Sequence, residues 1–216
     1  MVLGQAERLP LARASVRAFL RQGYSHKQLV IVNATPTPVL SHPVADVVER
    51  MTRPDSVGAL RNLAVEAADG DWLCQWDDDD YHAPARLIVQ MAYRRPGCCA
   101  FLSRHVVYDA AHRKACVQED PNGARGTLLW PRGPWRFRTG GHWEDRLFVA
   151  DHFPEAYVLQ DADPLLHTAV WHGLNASTAE EFWGHEDVDS RPLSPDEVDR
   201  FQLANTAYAR DAAAPL

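Results

Sequence analysis

The run Trp72-Leu73-Cys74-Gln75-Trp76 stops at four consecutive carboxylates, Asp77-Asp78-Asp79-Asp80, and Pro84 follows closely. An apolar-leaning segment with that ending reads as a buried strand whose carboxyl end emerges into a surface turn. Open α/β sheets place their ligand sites there, off the carboxyl ends of strands. If the backbone stays extended, alternation sends Asp77 and Asp79 to one side and Asp78 and Asp80 to the other, so that two oxygen ligands converge. Four like charges in a row repel one another, and something positive must compensate part of them. A divalent cation, Mn²⁺ or Mg²⁺, answers that need, because hard cations take carboxylate oxygens and keep positions open for substrate phosphates. A solvated acidic turn is the plainer alternative, but such turns seldom end a strand that carries Trp72, Leu73 and Trp76. The spaced acids and central glycine of an EF-hand loop are not in this run.

Around this strand, helices alternate with strands. Met1-Val2-Leu3-Gly4 is the stub of a first strand. Leu9 to Gln22 predicts a helix, with Pro10 where its missing donor is harmless and Gly23 as a stop. The apolar run Leu29-Val30-Ile31-Val32 predicts a strand covered on both faces. Pro36, Pro38 and Pro43 then break regular structure. An Ala-rich helix over Val57 to Asp69 feeds the acidic strand, and another over Ala85 to Arg95 leaves it. This alternation indicates an α/β fold with a mainly parallel central sheet flanked by helices.

The second half predicts shorter pieces and a small antiparallel portion. Strands are expected at Cys98 to Leu102, Val106 to Tyr108, Lys114 to Gln118, Gly126 to Trp130, Ala156 to Leu159 and Thr168 to Trp171, with a short helix over His142 to Ala150. Ser194-Pro195-Asp196-Glu197 is a capping-box start to a last helix running to about Tyr208. We divide the chain into one domain over residues 1–190, with a nucleotide-binding half at 1–97 and an acceptor half at 98–190, followed by a C-terminal helix and tail at 191–216.

Composition excludes several classes. A length of 216 residues suits one domain with a full core. The formal net charge of −7 argues against nucleic-acid binding, which needs a basic face. Cys74, Cys98, Cys99 and Cys116 have neither zinc-finger nor CxxC spacing, so reduced structural cysteines are expected. No apolar run approaches the roughly 20 residues of a membrane span, and the N-terminus lacks a signal peptide's apolar core. We expect a cytoplasmic protein, in which the acceptor-like Asn175-Ala176-Ser177 is a chance match.

A second acidic station is Gly140-Gly141-His142-Trp143-Glu144-Asp145-Arg146. Adjacent helical residues point about 100° apart, so Glu144 and Asp145 cannot both face one substrate atom. One can act as a general base while the other holds a neighbour. Acids in a first helical turn also complement the helix dipole, which is the alternative reading. In the loop just before, Arg125, Arg132, Arg136 and Arg138 interleave with Trp130, Trp135 and Trp143. Aromatic faces stack on sugars and guanidinium forks bind phosphates, so Trp135, Arg136 and Trp143 are candidate acceptor contacts. A surface loop with its tryptophans tucked into the core is equally consistent with that pattern.

In order along the chain, these segments resemble the inverting family 2 glycosyltransferases of the GT-A fold. The resemblance rests on Leu29-Val30-Ile31-Val32, Gly58 with Arg61-Asn62-Leu63-Ala64, Ala68-Asp69-Gly70-Asp71-Trp72, Trp76-Asp77-Asp78-Asp79-Asp80 with Pro84 and Arg86-Leu87, Gly126-Thr127-Leu128-Leu129-Trp130, Glu144-Asp145, and Trp171-His172-Gly173-Leu174-Asn175-Ala176-Ser177. It implies sugar transfer from a nucleoside-diphosphate donor, a UDP-sugar foremost, to an acceptor hydroxyl with Mn²⁺ or Mg²⁺. Asp77 and Asp79 then belong to the DxD element that holds the cation, and His172 completes the metal shell. Arg8, Arg61, Asn62, Asp78 and Asp80 contact the nucleotide-sugar. Asp145, with Glu144 beside it, is the catalytic base.

Two positions depart from the family. Glu7-Arg8 stands where an Asn-Arg pair is usual, after a shortened first strand, and Asn33-Ala34-Thr35-Pro36 replaces an Asp-Asp-Gly-Ser. These departures motivate a second reading, a non-catalytic nucleotide- or sugar-binding protein on a degenerate scaffold. A metal-dependent nucleotidyltransferase, which also uses acidic strand ends, is a third.

Overall fold

The computed structural model describes residues 1–124, 126–140, 144–175 and 189–213. The chain opens with β1 (Val2–Leu3), a 3₁₀ turn at Ala6–Arg8, α1 (Leu9–Leu20), β2 (Leu29–Asn33), β3 (Val47–Met51) and α2 (Val57–Ala67). It continues with β4 (Trp72–Cys74), β5 (Tyr81–His82), α3 (Arg86–Ala92), β6 (Ala100–Leu102), β7 (Arg104–Asp109), β8 (Lys114–Glu119) and β9 (Leu129–Pro131). The last elements are α4 (Glu144–His152), β10 (Tyr157–Leu159), β11 (His167–Trp171), β12 (Asp189–Pro192) and a C-terminal helix, here α5 (Pro195–Ala213).

β2 is buried at every position, as an unbroken apolar run requires. It lies between β1 and β3 in a three-stranded, wholly parallel sheet. Val16 and Phe19 of α1 pack with Leu29 and Ile31 on one face, and Leu60 of α2 packs with Val30 and Val32 on the other. A second sheet has the order β10-β6-β9-β4, in which β9 runs antiparallel to both β4 and β6. The third has the order β12-β8-β7-β11-β5, with β7 and β11 parallel and the rest antiparallel. The α/β class with a parallel sheet and a partly antiparallel one is therefore as expected.

Three strands were not expected. β3 follows Pro36, Pro38 and Pro43, and it is mostly exposed beyond Val47. Its Glu49 accepts from Asn33 Nδ2 (2.8 Å), Val39 N (2.8 Å) and Leu40 N (3.0 Å), so the Pro-rich loop is fastened to the strand after it. β5 and β12 are short edge strands with little pattern of their own.

The capping box forms as read: Ser194 N donates to Glu197 Oε2 at 2.7 Å, and Glu197 N to Ser194 Oγ at 3.4 Å. α5 runs on past Tyr208 to Ala213 and docks on α1, where Arg17 Nη1 donates to the Asp211 carbonyl at 2.6 Å. All four cysteines are free. Among the described residues no helix is long and apolar enough to cross a membrane.

Candidate functional site

The strand that ends in the acidic run is clamped before the run begins. Trp76 is buried, and its indole N–H donates to Ser15 Oγ (2.9 Å), which donates in turn to the Asp77 carbonyl (2.9 Å). His82 packs on the Trp76 ring at 3.9 Å. Arg86 is fully buried, and its guanidinium is satisfied by the carbonyls of Gln75 (2.8 Å) and Gly126 (2.9 Å), by Gln90 Oε1 (3.0 Å) and by His82 Nδ1. It ties β4, α3 and the Gly126 turn into one block.

The expected alternation of the four carboxylates does not hold, because the backbone bends over Asp78–Asp80 instead of staying extended. Asp78 and Asp79 share one partner, Arg8, which lies 2.7 Å from Asp79 Oδ2. Asp79 Oδ2 also meets His172 Nε2 at 3.0 Å and Asn175 Nδ2 at 3.3 Å. Asp80 turns inward, accepting from Val170 N (3.1 Å) and meeting His167 Nε2 (2.9 Å). Asp77 accepts from Gln75 Nε2 at 3.0 Å and lies 3.7 Å from Arg61. Asp77 and Asp80 converge on Gly126, where an added Cβ would sit 2.9 Å from Asp77 Oδ2 and 3.2 Å from Asp80 Oδ2. At its φ of +79° a glycine is favoured in any case.

The environment sorts the acids. Burial, then the charge on Asp79, pushes the Asp78 carboxyl well above its ordinary value, and the same two causes act on Asp80. Burial pulls His167 down to about 3, so in the Asp80–His167 contact burial disfavours the charged form of both partners. Burial acts on Asp79 too, but the His172 hydrogen bond and the Arg8 charge outweigh it and lower its pKa. For Arg8 burial is likewise the largest influence, overcome by Asp79 and Asp78, so its pKa is raised. Asp79 is thus the fixed anion of the turn. The backbone at this residue is held as well, because the buried Tyr208 hydroxyl of α5 donates to the Asp79 carbonyl at 2.9 Å.

The second station reaches the first through Arg61. Its Nη1 lies 3.4 Å from Glu144 Oε1 and its Nη2 lies 3.7 Å from Asp77 Oδ1, while its guanidinium stands over the Phe137 ring at 5.4 Å. Asp145, the next residue of α4, accepts from Arg146 N at 2.8 Å. The structure therefore brings Arg8, Asp77, Asp78, Asp79 and His172 together, and links Arg61 and Glu144 to them. Asn62 has different work: its carboxamide donates to the Phe137 carbonyl (2.9 Å) and accepts from Phe137 N (2.8 Å). Trp135 packs on Phe153 and His152, and Arg136 lies 3.9 Å from Glu66, so these two are joined to α4 and α2 rather than to the acidic turn. Trp143 lies outside the described residues.

Sequence reasoning gave no role to His167, Asn175, Gly126 or Tyr208. Gly126 and Asn175 lay within segments quoted for the resemblance, whereas His167 and Tyr208 carried no signal of a role.

The sequence profile of the family described as Glycosyl transferase family 2 matches residues 7–137. No curated protein matches the sequence. Among solved structures, S. aureus TarS 1-349 superposes with a TM-score of 0.59 at 14% identity, covering 78% of this chain and 59% of that one. The same protein in complex with UDP-GlcNAc gives 0.59 at 13% identity, covering 95% of this chain and 65% of that one. Its complex with UDP gives 0.57 at 14% identity, covering 79% and 59%. This chain thus spans less than two thirds of the length of those structures. At such identities the likeness establishes the fold, which is the GT-A arrangement expected from the sequence.

Proposed function

The chain belongs to glycosyl transferase family 2, and on that footing we propose that it is an inverting glycosyltransferase taking a sugar from a nucleoside-diphosphate donor to an acceptor hydroxyl. The observation that carries the reading is Arg61, which stands 3.7 Å from Asp77 and 3.4 Å from Glu144 and so joins the two acidic stations. A UDP-sugar is the donor of choice, because the structural relatives were solved with UDP-GlcNAc and with UDP.

Arg8 and Arg61 are the cations placed to meet a diphosphate. Mn²⁺ or Mg²⁺ would be held by Asp79 and His172, whose Oδ2 and Nε2 lie 3.0 Å apart, with Asp77 at the head of the same turn. Among the described residues no three His, Cys, Asp or Glu side chains converge into a cation cage. That suits a hard cation which takes one or two protein ligands and draws the others from substrate phosphates. When bound, such an ion neutralises charge on the departing diphosphate. Glu144 holds Arg61, and Asp145 takes the acceptor proton as the hydroxyl attacks the anomeric carbon from the opposite face.

The test is calorimetric titration with UDP and a panel of UDP-sugars, with and without Mn²⁺, followed by NMR of the product's anomeric configuration. Cation-dependent donor binding and an inverted product are expected; nucleotide-sugar silence, or retention, overturns the proposal. One observation favours a binding module instead. Asn33, in the position of a family acid, is taken up by Thr35 and Thr37 of the following loop and by Glu49 of β3. Donor binding without transfer or slow donor hydrolysis would select that reading.

A further inference from the structure

The carboxylate oxygen at the centre of the acidic turn already carries three donors. Asp79 Oδ2 lies 2.7 Å from Arg8 Nη2, 3.0 Å from His172 Nε2 and 3.3 Å from Asn175 Nδ2. His172 and Asn175 belong to one turn, in which His172 N donates to Asn175 Oδ1 at 2.9 Å. Arg8 arrives from the far end of the chain and brings a charge that no working pH removes.

What holds Arg8 there is the acids and not its own element. It stands at the start of α1, where it makes no side-chain cap, and the positive end of a helix dipole disfavours a cation at that place. Its grip is also incomplete. A guanidinium that meets carboxylates as a fork uses two nitrogens, whereas here the single Nη2 serves both Asp78 Oδ1 and Asp79 Oδ2. Two atoms are left over as a result: Arg8 Nε and Asp78 Oδ2 are both buried and have no hydrogen-bond partner among the described residues.

Those two atoms ask for opposite things. A buried carboxylate oxygen without a donor is completed by a cation, and a buried guanidinium N–H without an acceptor is completed by an anion. A divalent cation alone answers only the first, and it approaches Asp79 against the charge of Arg8. A divalent cation carried on a diphosphate answers both, because phosphate oxygens can receive the guanidinium as the carboxylates give it up.

We propose that Arg8 is the resident counter-cation of the acidic turn and makes the site select a cation–diphosphate complex over the free cation. Arg8 holds Asp78 and Asp79 until the complex arrives, then passes from the carboxylates to the diphosphate. This rests on the reading of Asp79 as a cation ligand given above.

The test measures two affinities in wild type and in Arg8→Gln: that for Mn²⁺ alone, by electron paramagnetic resonance of the free ion, and that for UDP at saturating Mn²⁺, by calorimetry. Arg8→Gln binds Mn²⁺ alone about tenfold more tightly than wild type and UDP about tenfold more weakly. A turn that had merely loosened would lose both, so the opposite signs are what the proposal requires. Wild type supplies a readout that does not depend on how the variant folds: the NMR signal of the Arg8 Nε–H moves when Mg²⁺ and UDP are added together. An Arg8→Gln affinity for Mn²⁺ equal to or below that of wild type overturns the proposal, as does an Arg8 signal that stays in place. Either result leaves the glycosyltransferase reading standing while UDP still binds with Mn²⁺. If neither protein takes Mn²⁺, with or without UDP, the cation reading fails and the proposal fails with it.

Discussion

The two acidic stations are built in opposite ways. Asp77–Asp80 is fastened from three elements distant in sequence: Ser15 of α1 holds the Asp77 carbonyl, Tyr208 of α5 the Asp79 carbonyl, and β11 the Asp80 side chain. Asp78, Asp79 and Asp80 are buried. Glu144 and Asp145 are half-buried residues at the first turn of α4, tied by one contact to Arg61 and one to the helix's own backbone. A station that holds charge benefits from groups fixed in advance, since nothing then has to reorganise when the ligand arrives. One that collects a proton needs a carboxylate with little competing for it. On the proposed function, the comparison suits binding at the first and proton transfer at the second.

The sharpest way to break that assignment is kinetic. Asp145→Asn lowers kcat by about 10²–10⁴ and leaves the donor KM unchanged, while Glu144→Gln, which loosens only Arg61, costs about tenfold or less; if the ranking is reversed, Glu144 is the base. Arg8→Ala strikes the other station. It leaves Asp78 and Asp79 buried beside each other without their shared cation, and costs about 3–5 kcal/mol in a urea titration. A loss near zero would mean the turn is held by its carbonyl clamps alone. Tyr208→Phe removes one of those clamps and strands a buried acceptor, at about 1–3 kcal/mol with a smaller loss of donor affinity. Unchanged donor affinity with lowered stability would show that α5 supports the fold but not the site.

What the sequence made legible follows the range of each interaction. α1, β2, α2 and the capping box of α5 are written in neighbouring residues, as periodicity, an unbroken apolar run or paired caps. β3, β5 and β12 are defined by the strands beside them, so local pattern passes them over. The acidic run announced itself by charge. Its geometry did not, since the bend over Asp78–Asp80 is imposed by partners 70 to 129 residues away, Arg8, His167 and Tyr208 among them. Trp135 and Arg136 are a pattern that local sequence leaves open. An aromatic and a cation side by side suit a sugar or a phosphate, yet Trp135 finds Phe153 and His152 within its own half of the molecule.

The smallest effect tests whether the clamp on Asp79 depends on charge at the far end of its helix. α5 carries Tyr208, and its start is fixed by Glu197, which receives Arg191 through two bonds of 2.7 Å and Ser194 N at 2.7 Å. The Arg191 hydrogen bonds, against a lesser opposing pull from burial, lower the Glu197 pKa from 4.5 to about 2. The folded value lies below the unfolded one, so the contribution is complete above pH 4.5 and fades as pH falls through about 2. Glu197→Gln should therefore cost about 1 kcal/mol at pH 7, seen as a Tm lowered by about 2–4 °C. The gap between the two proteins should narrow steadily as pH is lowered from 4.5 to about 2. A gap that stays constant over that range would mean the cap works through shape and neutral hydrogen bonds. In that case acid would loosen the Asp79 turn through its own carboxylates and not through the helix that holds it.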